Sequence, residues 1–404
     1  MGKSKKTDKN NVVELFGGVG GFSLGLEKSG WKTIFFNQWE PSTKRQDSFD
    51  CYNFHYPECN NSNVDVSTLS TKDIPDHTLL VGGFPCQDYS VMKPLSSSKG
   101  IEGKKGVLWW EIRRIVEDKR PRFVLLENVD RLIKSPSTQR GRDFGIIISC
   151  MNSLGYSVEW RVINSGDYGF PQRRRRTFIF CSNDKKVINK LYGDKDGGTI
   201  LTSSGFFPST FECKKFDGSD TKPVDIPTDL VDLTKNFQYL FGNCGYSIDF
   251  KCRTTKVVPV YNGEITTLGD ILEKGVDEKY YIKEKDLPDW EYMKGGKKEK
   301  RITSEGYEYD YSEGPIPYPD YLDKPSRTLL TSESGKNRMT HIVRDPETGR
   351  IRKLTPVECE RLDGFPDNWT NTGMSEKFRY FCMGNALVVG LIEKMGHQIQ
   401  RLNK

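Results

Sequence analysis

Residues 11–29 read NVVELFGGVGGFSLGLEKS. Asn11–Phe16 is a short apolar strand, Gly17–Gly21 a turn and Phe22–Ser29 a helix. Gly30 is the natural stop, because the residue after a helix favours the left-handed conformation that glycine adopts freely. A strand that passes through glycines into a helix is the opening unit of an α/β sheet, and its backbone N–H groups can approach a ligand closely. The spacing is not a full G-x-G-x-x-G, so the loop alone leaves a dinucleotide and another adenosine ligand both open. The alternation continues outward. Trp31–Asn37 reads as a second strand and Asp47–Tyr56 as a helix ended by Pro57. Val64–Val66 and Leu79–Val81 read as the third and fourth strands. Trp109–Glu117 is helical, Pro121–Asn128 is the fifth strand and Asp143–Leu154 a helix, with Val158–Asn164 and Arg176–Cys181 as further strands. Strands alternating with helices from Val12 to Cys181 predict a doubly wound, mostly parallel sheet.

The chain has 404 residues, enough for two or three domains at roughly 150 residues each. Its 61 basic and 55 acidic residues give a net charge of +6, a mild lean towards polyanions. Arg173–Arg176, Lys297–Arg301 and Lys99–Lys105 concentrate the positive charge locally. The ten cysteines are scattered without a CxxC pair, which points to a reducing compartment rather than a disulfide scaffold. Met1–Asn11 is polar and basic, so no apolar leader is expected, and no apolar run approaches the ~18 residues of a membrane span. Cys51, His55 and Cys59 are spaced by four, but Pro57 interrupts any helix and no fourth ligand stands nearby, so no metal is expected. From about residue 190 the composition turns to Gly, Asp, Lys, Tyr and Pro. That region reads as a smaller irregular domain of strand and coil, with strand-like runs at Val257–Tyr261 and Tyr280–Ile282. Helical signals return at Pro356–Leu362 and Asn385–Leu402.

Three stretches carry chemistry. The apolar run Thr78–Val81 leads into GGFPCQDYS at 82–90, which places Cys86 on a turn at a strand tip. A thiol there is either a packed small hydrophobe or a nucleophile, and as a nucleophile it acts as the thiolate, from an unperturbed pKa of about 8.5. Asp88–Gly106 lacks an apolar period and reads as a long loop. Glu127-Asn128-Val129 ends the fifth strand, so Glu127 should face the same cavity as Cys86. A partly desolvated carboxyl keeps its proton more easily and can donate it to a ring nitrogen. Gln172–Arg176 precedes another strand. In an extended segment Arg174 and Arg176 share one face and Arg173 and Arg175 the other, so one pair can meet a polyanion or a substrate carbonyl. At the end of the second strand, Gln38 sits where a ribose is gripped and Trp39 where an aromatic covers an adenine face. Asp65, at the end of the third, could accept from an adenine amino group.

Six blocks in this order resemble the DNA cytosine-5 methyltransferases of prokaryotic modification systems. They are Phe16–Phe22, Pro85-Cys86-Gln87, Glu127-Asn128-Val129, Gln172–Arg176, Leu354–Trp369 and Gly384-Asn385-Ala386. The resemblance implies a Rossmann-like methyltransferase domain formed by residues 1–190 plus 330–404, and a β/coil-rich target-recognition domain at 191–329. It implies that the target cytosine is flipped out of the duplex, that Cys86 adds to C6, and that Glu127 donates to N3 and the exocyclic amine. C5 then takes a methyl group from S-adenosyl-L-methionine, leaving S-adenosyl-L-homocysteine. Arg176 is implied at the cytosine O2, Arg174 as support for the active-site loop and Asn128 as the group that orients the turn of Cys86. For the cofactor the resemblance implies Phe16 on the adenine, the loop glycines Gly18, Gly20 and Gly21, and Gln38, Trp39, Asp65, Val66, Pro85, Leu108, Asn385 and Ala386. Gln87, Ser90, Arg173 and Arg175 are implied on DNA. No metal is implied. Gln38 departs from the family, which usually has a ribose-binding Glu there. An amide still bonds one hydroxyl but loses the charge-assisted contact, and Glu40 is the nearby acid that could substitute. A monomeric enzyme is implied, acting on double-stranded DNA in the bacterial cytoplasm at the nucleoid, with a cognate restriction endonuclease acting separately.

Three rivals compete. The RNA-modifying branch of the family has a short, simple middle region, unlike 191–329. A NAD-dependent oxidoreductase accounts for Phe16–Gly21 but gives no task to Cys86, Glu127 and Arg176 together. A catalytically inactive DNA-binding protein has no need of an intact Pro-Cys turn and Glu-Asn-Val.

Overall fold

The computed structural model describes residues 10–84, 108–302 and 306–404. Pro85, Cys86, Gln87 and Ser90 lie outside the described residues. The chain forms two compact units. The first holds the described residues up to Tyr168, Arg175–Gly263 and Val389–Lys404; the second holds Gly169–Arg174 and Glu264–Val388.

The first unit is built on a ten-stranded sheet. Its strands are β1 (Asn11–Leu15), β2 (Lys32–Asn37), β3 (Asn60–Ser62), β4 (Leu79–Gly83), β5 (Phe123–Val129), β6 (Ser157–Asn164) and β7 (Arg175–Ser182). A short β8 (Cys213–Lys215) stands outside the sheet, and β9 (Lys222–Asp225), β10 (Cys244–Ile248) and β11 (Lys251–Thr255) complete it. The order is β3-β2-β1-β4-β5-β7-β6-β10-β11-β9. The first five strands are parallel, and β7 opens an antiparallel extension. The doubly wound α/β sheet expected from the alternation is therefore present. Its central strands are apolar runs because both faces are covered: Val12, Val13, Leu79, Leu80, Val81 and Phe123–Leu126 are fully buried.

The strand order reverses between β1 and β4. In open α/β sheets a ligand binds outside the carboxyl ends at such a switch point. Helix α1 (Gly21–Glu27) leaves the end of β1 and packs on the terminal helix Val389–Leu402. That contact is close because Gly25 has no side chain: a Cβ there would lie 2.7 Å from Cβ of Ile392. Trp31 Nε1 fixes the same helix by donating to the Gly396 carbonyl at 3.0 Å.

Some element boundaries differ from the expectations. The third strand is Asn60–Ser62, not Val64–Val66. The Asn37 amide donates to the carbonyls of Ser62 and Val64, and residues 66–68 close into a 3₁₀ turn capped by Asp65. Tyr280 ends another 3₁₀ turn instead of starting a strand, because the Asp277 carboxylate accepts from Lys279 N. Asn385 closes the helix Glu376–Asn385, and the terminal helix starts at Val389.

The second unit contains two ribbons, Lys297–Ile302 with Glu308–Glu313 and Ile342–Arg344 with Ile351–Lys353. The helix Pro356–Asp363 is entered through a capping box formed by Thr355 and Glu358. Arg352 is fully buried between Asp345 and Glu358, donating Nε and Nη2 to them at 2.7 Å each. Two carboxylates and one guanidinium are thereby taken out of water together, which a buried ion requires.

Candidate active site

Glu127 stands near the carboxyl end of β5, and Arg176 at the start of the neighbouring β7. In the antiparallel register Glu127 faces Phe178 and Arg176 faces Val129, so the two side chains are diagonal neighbours on one face, within reach of each other. Arg176 Nε donates to Glu127 Oε1 at 2.8 Å, with both side chains largely covered. The parallel partner of Glu127 on β4 is Gly83. A Cβ at Gly83 would sit 3.3 Å from Glu127 Oε2, so the carboxylate lies against the end of the strand that leads to Cys86. Asn128 points the other way and is buried. Its Nδ2 donates to the Phe84 carbonyl at 2.8 Å, and its Oδ1 accepts from Val129 N at 2.9 Å. This amide thus ties the exit of β4 to the exit of β5 at Phe84, the last described residue before Cys86.

Burial in the arginine run alternates from residue 172 to 176, as an extended segment dictates. Arg174 is 1% exposed and belongs to the second unit, where Nη1 and Nη2 donate to the carbonyls of Leu329 and Gly384 at 3.2 and 2.9 Å. It holds backbone in place there. Gln172 stands beside it, donating to Asp363 at 2.8 Å and accepting from Leu329 N at 2.9 Å. Arg173 and Arg175 are exposed. Asn385 is exposed and Ala386 half-buried at the end of their helix.

The glycine loop after β1 is a shaped surface. Phe16 has a left-handed φ of 55° and is half-buried against the core. Gly17 cannot carry a side chain, since a Cβ would fall 2.1 Å from the Phe36 ring and 2.8 Å from Glu14 Oε1. Gly20 is likewise pressed on Tyr52. Gly18, at φ +58°, faces open space with nothing within 4 Å of a Cβ. Gln38 Oε1 accepts from Gly18 N at 2.9 Å, which joins the end of β2 to the loop. Trp39 beside it is 40% exposed. Asp65 accepts from Ser67 N through Oδ1, Val66 is buried in the core, and Leu108 packs on the core's edge. An open cradle at a glycine, an exposed indole and an amide at the strand end fit an adenosine-containing cofactor. Glu40 is engaged by Ser48, whose hydroxyl donates to Oε1 at 2.9 Å, so it serves the start of α2 (Asp47–His55).

Beneath the loop lies a residue that the sequence reading did not single out. Glu14 is fully buried, and its Oε2 accepts from Ser23 N at 2.9 Å and from the Ser23 hydroxyl. Among the described residues its Oε1 has no hydrogen-bond partner. Burial pushes its carboxyl up to about 8. The available signal was a lone acid inside an apolar strand next to a glycine turn. Among the described residues no group of three or more His, Cys, Asp or Glu is placed to hold a metal ion, and no helix is long and apolar enough to cross a membrane.

The family model of the C-5 cytosine-specific DNA methylases matches residues 10–401. The chain is similar to the Type II methyltransferase M.Sau3AI of Staphylococcus aureus, 46% identical over 402 residues, which cover 98% of this chain and 97% of that one. It is 26% identical to the Type II methyltransferase M.HhaI of Haemophilus parahaemolyticus over 403 residues, covering 98% and 96%. Among solved structures, the S. pombe Dnmt2 methyltransferase matches with a TM-score of 0.60 at 16% identity, covering 98% of this chain and 99% of the other. At that identity the match speaks for the fold.

Proposed function

The chain belongs to the C-5 cytosine-specific DNA methylase family and is a DNA cytosine-5 methyltransferase; from that premise we propose that it methylates one cytosine of a specific double-stranded sequence, using S-adenosyl-L-methionine, base flipping and a transient Cys86–C6 bond. The observation that carries this reading is the Glu127–Arg176 pair at 2.8 Å, set against Gly83 three residues before Cys86.

The target carbon cannot be reached inside a stacked duplex, so the base must leave the helix. Addition of the Cys86 thiolate to C6 pushes electron density onto C5 and the N3 side of the ring. Glu127 places a proton at N3, which removes the developing charge and leaves C5 nucleophilic. When bound, S-adenosyl-L-methionine supplies an electrophilic methyl group on a sulfonium. Loss of the C5 proton to a base, departure of Cys86 as the thiolate and return of the N3 proton to Glu127 then restore the neutral aromatic ring. Arg176 Nε occupies Glu127 Oε1 at 2.8 Å, so that oxygen must exchange this partner for the ring before it can serve N3. Shifting Arg176 to the cytosine O2 would release Glu127 to carry its proton and keep the guanidinium's charge satisfied. Asn128, through the Phe84 carbonyl, fixes the exit of the strand two residues before Cys86 in the sequence.

Phe16, Gly18, Gly20, Gly21, Gln38, Trp39, Asp65, Val66 and Leu108 are the residues we assign to the cofactor. Gln38 Oε1 already accepts from Gly18 N, which leaves its second lone pair and its N–H₂ for a ribose hydroxyl. Gln38→Glu would keep the Gly18 contact and add a charge-assisted acceptor, the stronger type of bond. It is expected to tighten S-adenosyl-L-homocysteine binding about tenfold in isothermal titration. Unchanged or weaker binding would remove Gln38 from the ribose.

Residues 1–190 plus 330–404 are proposed to carry catalysis, and residues 191–329 sequence recognition. The proposal also includes a monomeric enzyme at the bacterial nucleoid and a separate endonuclease for the same unmethylated site. Bisulfite sequencing of a host genome expressing the chain tests the function directly. Protected cytosines at one recurring sequence are expected, and a genome without protected cytosines would refute the reading.

A further inference from the structure

The polar cluster beneath the glycine loop has no task in the chemistry above. Glu14 is the acid of β1, set between Phe36 of β2 and Val81 of β4. Its donors favour one oxygen. Ser23 N at 2.9 Å and the Ser23 hydroxyl both reach Oε2, and Phe22 N is the weakest of the groups that donate to the carboxyl. The Ser23 hydroxyl also meets Thr33 Oγ1 at 2.8 Å and the Tyr52 hydroxyl at 3.0 Å, so the neighbouring hydroxyls converge on the Oε2 side. Oε1 has no hydrogen-bond partner among the described residues. It lies directly under the loop, 2.8 Å from where a Cβ of Gly17 would stand, and beside the Phe36 ring that stacks on Tyr52.

A buried carboxylate with one oxygen bare is costly, because an ionised carboxyl needs donors on both. Among the described residues no cation pairs with Glu14 to offset that cost. Burial raises its carboxyl to about 8, so in the free enzyme it holds its proton at neutral pH. The other titratable groups packed around it are neutral there too. Burial pushes the Tyr52 and Tyr56 hydroxyls far up and the Cys59 thiol up to about 11. Glu27 is engaged by the Tyr56 hydroxyl at 3.1 Å, and Lys32 acts on Cys59. A positive charge brought to the loop changes this balance, since an opposite charge favours the ionised form of an acid. S-adenosyl-L-methionine carries such a charge on its sulfonium. S-adenosyl-L-homocysteine has the same adenosine and amino-acid ends but a neutral thioether.

We propose that Glu14 is a charge-sensing acid beneath the cofactor loop, which gives up its proton when the sulfonium of S-adenosyl-L-methionine fills the site and keeps it when the neutral product does. The inference rests on S-adenosyl-L-methionine being the cofactor. On binding, the Glu14 O–H bond breaks and the proton passes to solvent; it returns once methyl transfer has turned the sulfonium into a thioether. Substrate is thereby held in preference to product. The preference is absent at low pH, where Glu14 is protonated with either ligand. It grows by at most tenfold per pH unit as pH rises, and levels off above about 8, where Glu14 is ionised even in the free enzyme.

The test is proton release on cofactor binding, measured by isothermal titration at about pH 7 in two buffers of different ionisation heat. If the sulfonium lowers the carboxyl by about one unit or more, the wild type should release about 0.4 proton or more with S-adenosyl-L-methionine beyond its value with S-adenosyl-L-homocysteine. Subtracting the product's value removes any contribution of the amino group that both ligands share. Glu14→Gln keeps a neutral side chain of the same shape. It is expected to bind the product as the wild type does and to show no difference between the ligands. Equal proton counts in the wild type would overturn the proposal while leaving the cofactor reading intact. A difference that survives in Glu14→Gln would put the proton on the ligand and overturn it as well. Should Glu14→Gln fail to fold, infrared difference spectra of the wild type decide. The C=O band of a protonated carboxyl should be lost with S-adenosyl-L-methionine and not with the product, and an unchanged band would overturn the proposal. Failure of both ligands to bind the wild type would instead strike at S-adenosyl-L-methionine as the cofactor.

Discussion

Cys86→Ser protein is expected to bind its duplex as the wild type does and to lose methyl transfer by about 10⁴-fold or more, the scale on which a covalent nucleophile acts. The reason is chemical rather than steric. Serine is smaller by little and can occupy the same turn, but a hydroxyl at neutral pH offers almost no anion, whereas a thiol with pKa near 8.5 already offers a few per cent. Without attack at C6, C5 remains part of an electron-poor aromatic ring and has no pair to give. The same logic fixes a second readout. A duplex with 5-fluorocytosine at the target is expected to stay covalently attached to the wild type, because fluorine cannot leave as a proton does, and the adduct should map to the peptide bearing Cys86. The Cys86→Ser protein should form no adduct. Turnover within tenfold of wild type, or an adduct on another cysteine, would reassign the nucleophile. None of the nine cysteines of the described residues is in a disulfide and, apart from the half-buried Cys59, all are buried. For most of them, Cys150, Cys181, Cys244 and Cys252 among them, burial pushes the thiol up. They are poor candidates to replace it.

The parallel half of the sheet was legible because its strands are enclosed on both faces. Val12, Val13, Leu15, Leu79–Val81 and Phe123–Leu126 are apolar and buried there, and an apolar run between glycines and helices is a strong signal even with the single acid Glu14 inside the first strand. The third strand escaped for the opposite reason. Asn60–Ser62 is a polar edge strand held by pairing with β2 alone, so nothing in its side chains announces it. The hairpin of β10 and β11 was also hidden. Its turn places Asp249 and Phe250 at φ 46° and 64°, the left-handed pair that a two-residue hairpin needs, without the Asn-Gly that usually signals it. At the site, alternation along β7 was enough to put Arg176 on a different face from Arg175. It could not say that Arg174 would be enclosed by the carbonyls of Leu329 and Gly384, more than 150 residues away in sequence. Nor could it show Gln38 accepting from Gly18 N, since a hydrogen bond across two loops depends on the register of β1 against β2.

Glu127→Gln is expected to cut turnover by about 10²–10⁴-fold, the usual worth of a positioned proton donor, while duplex and cofactor binding stay near wild type. Glutamine preserves the shape against Gly83 and can still donate an N–H to N3, but it has no proton to transfer, so the charge that develops as Cys86 adds is left on the ring. The substitution also removes the partner of Arg176 at 2.8 Å. If Arg176 alternates between Glu127 and the cytosine O2, freeing it should not by itself weaken base binding, and the loss should fall on kcat rather than KM. Formation of the 5-fluorocytosine adduct should slow in parallel with turnover, because proton delivery accompanies the attack at C6. Arg176→Ala should cost less in the rate of attack and more in KM. The double variant should lose less than the two single losses combined, since both act on one proton transfer. A Glu127→Gln enzyme within tenfold of wild type, or one whose adduct forms at the normal rate, would show that N3 takes its proton from elsewhere and would reduce the Glu127–Arg176 pair to a structural clasp between β5 and β7.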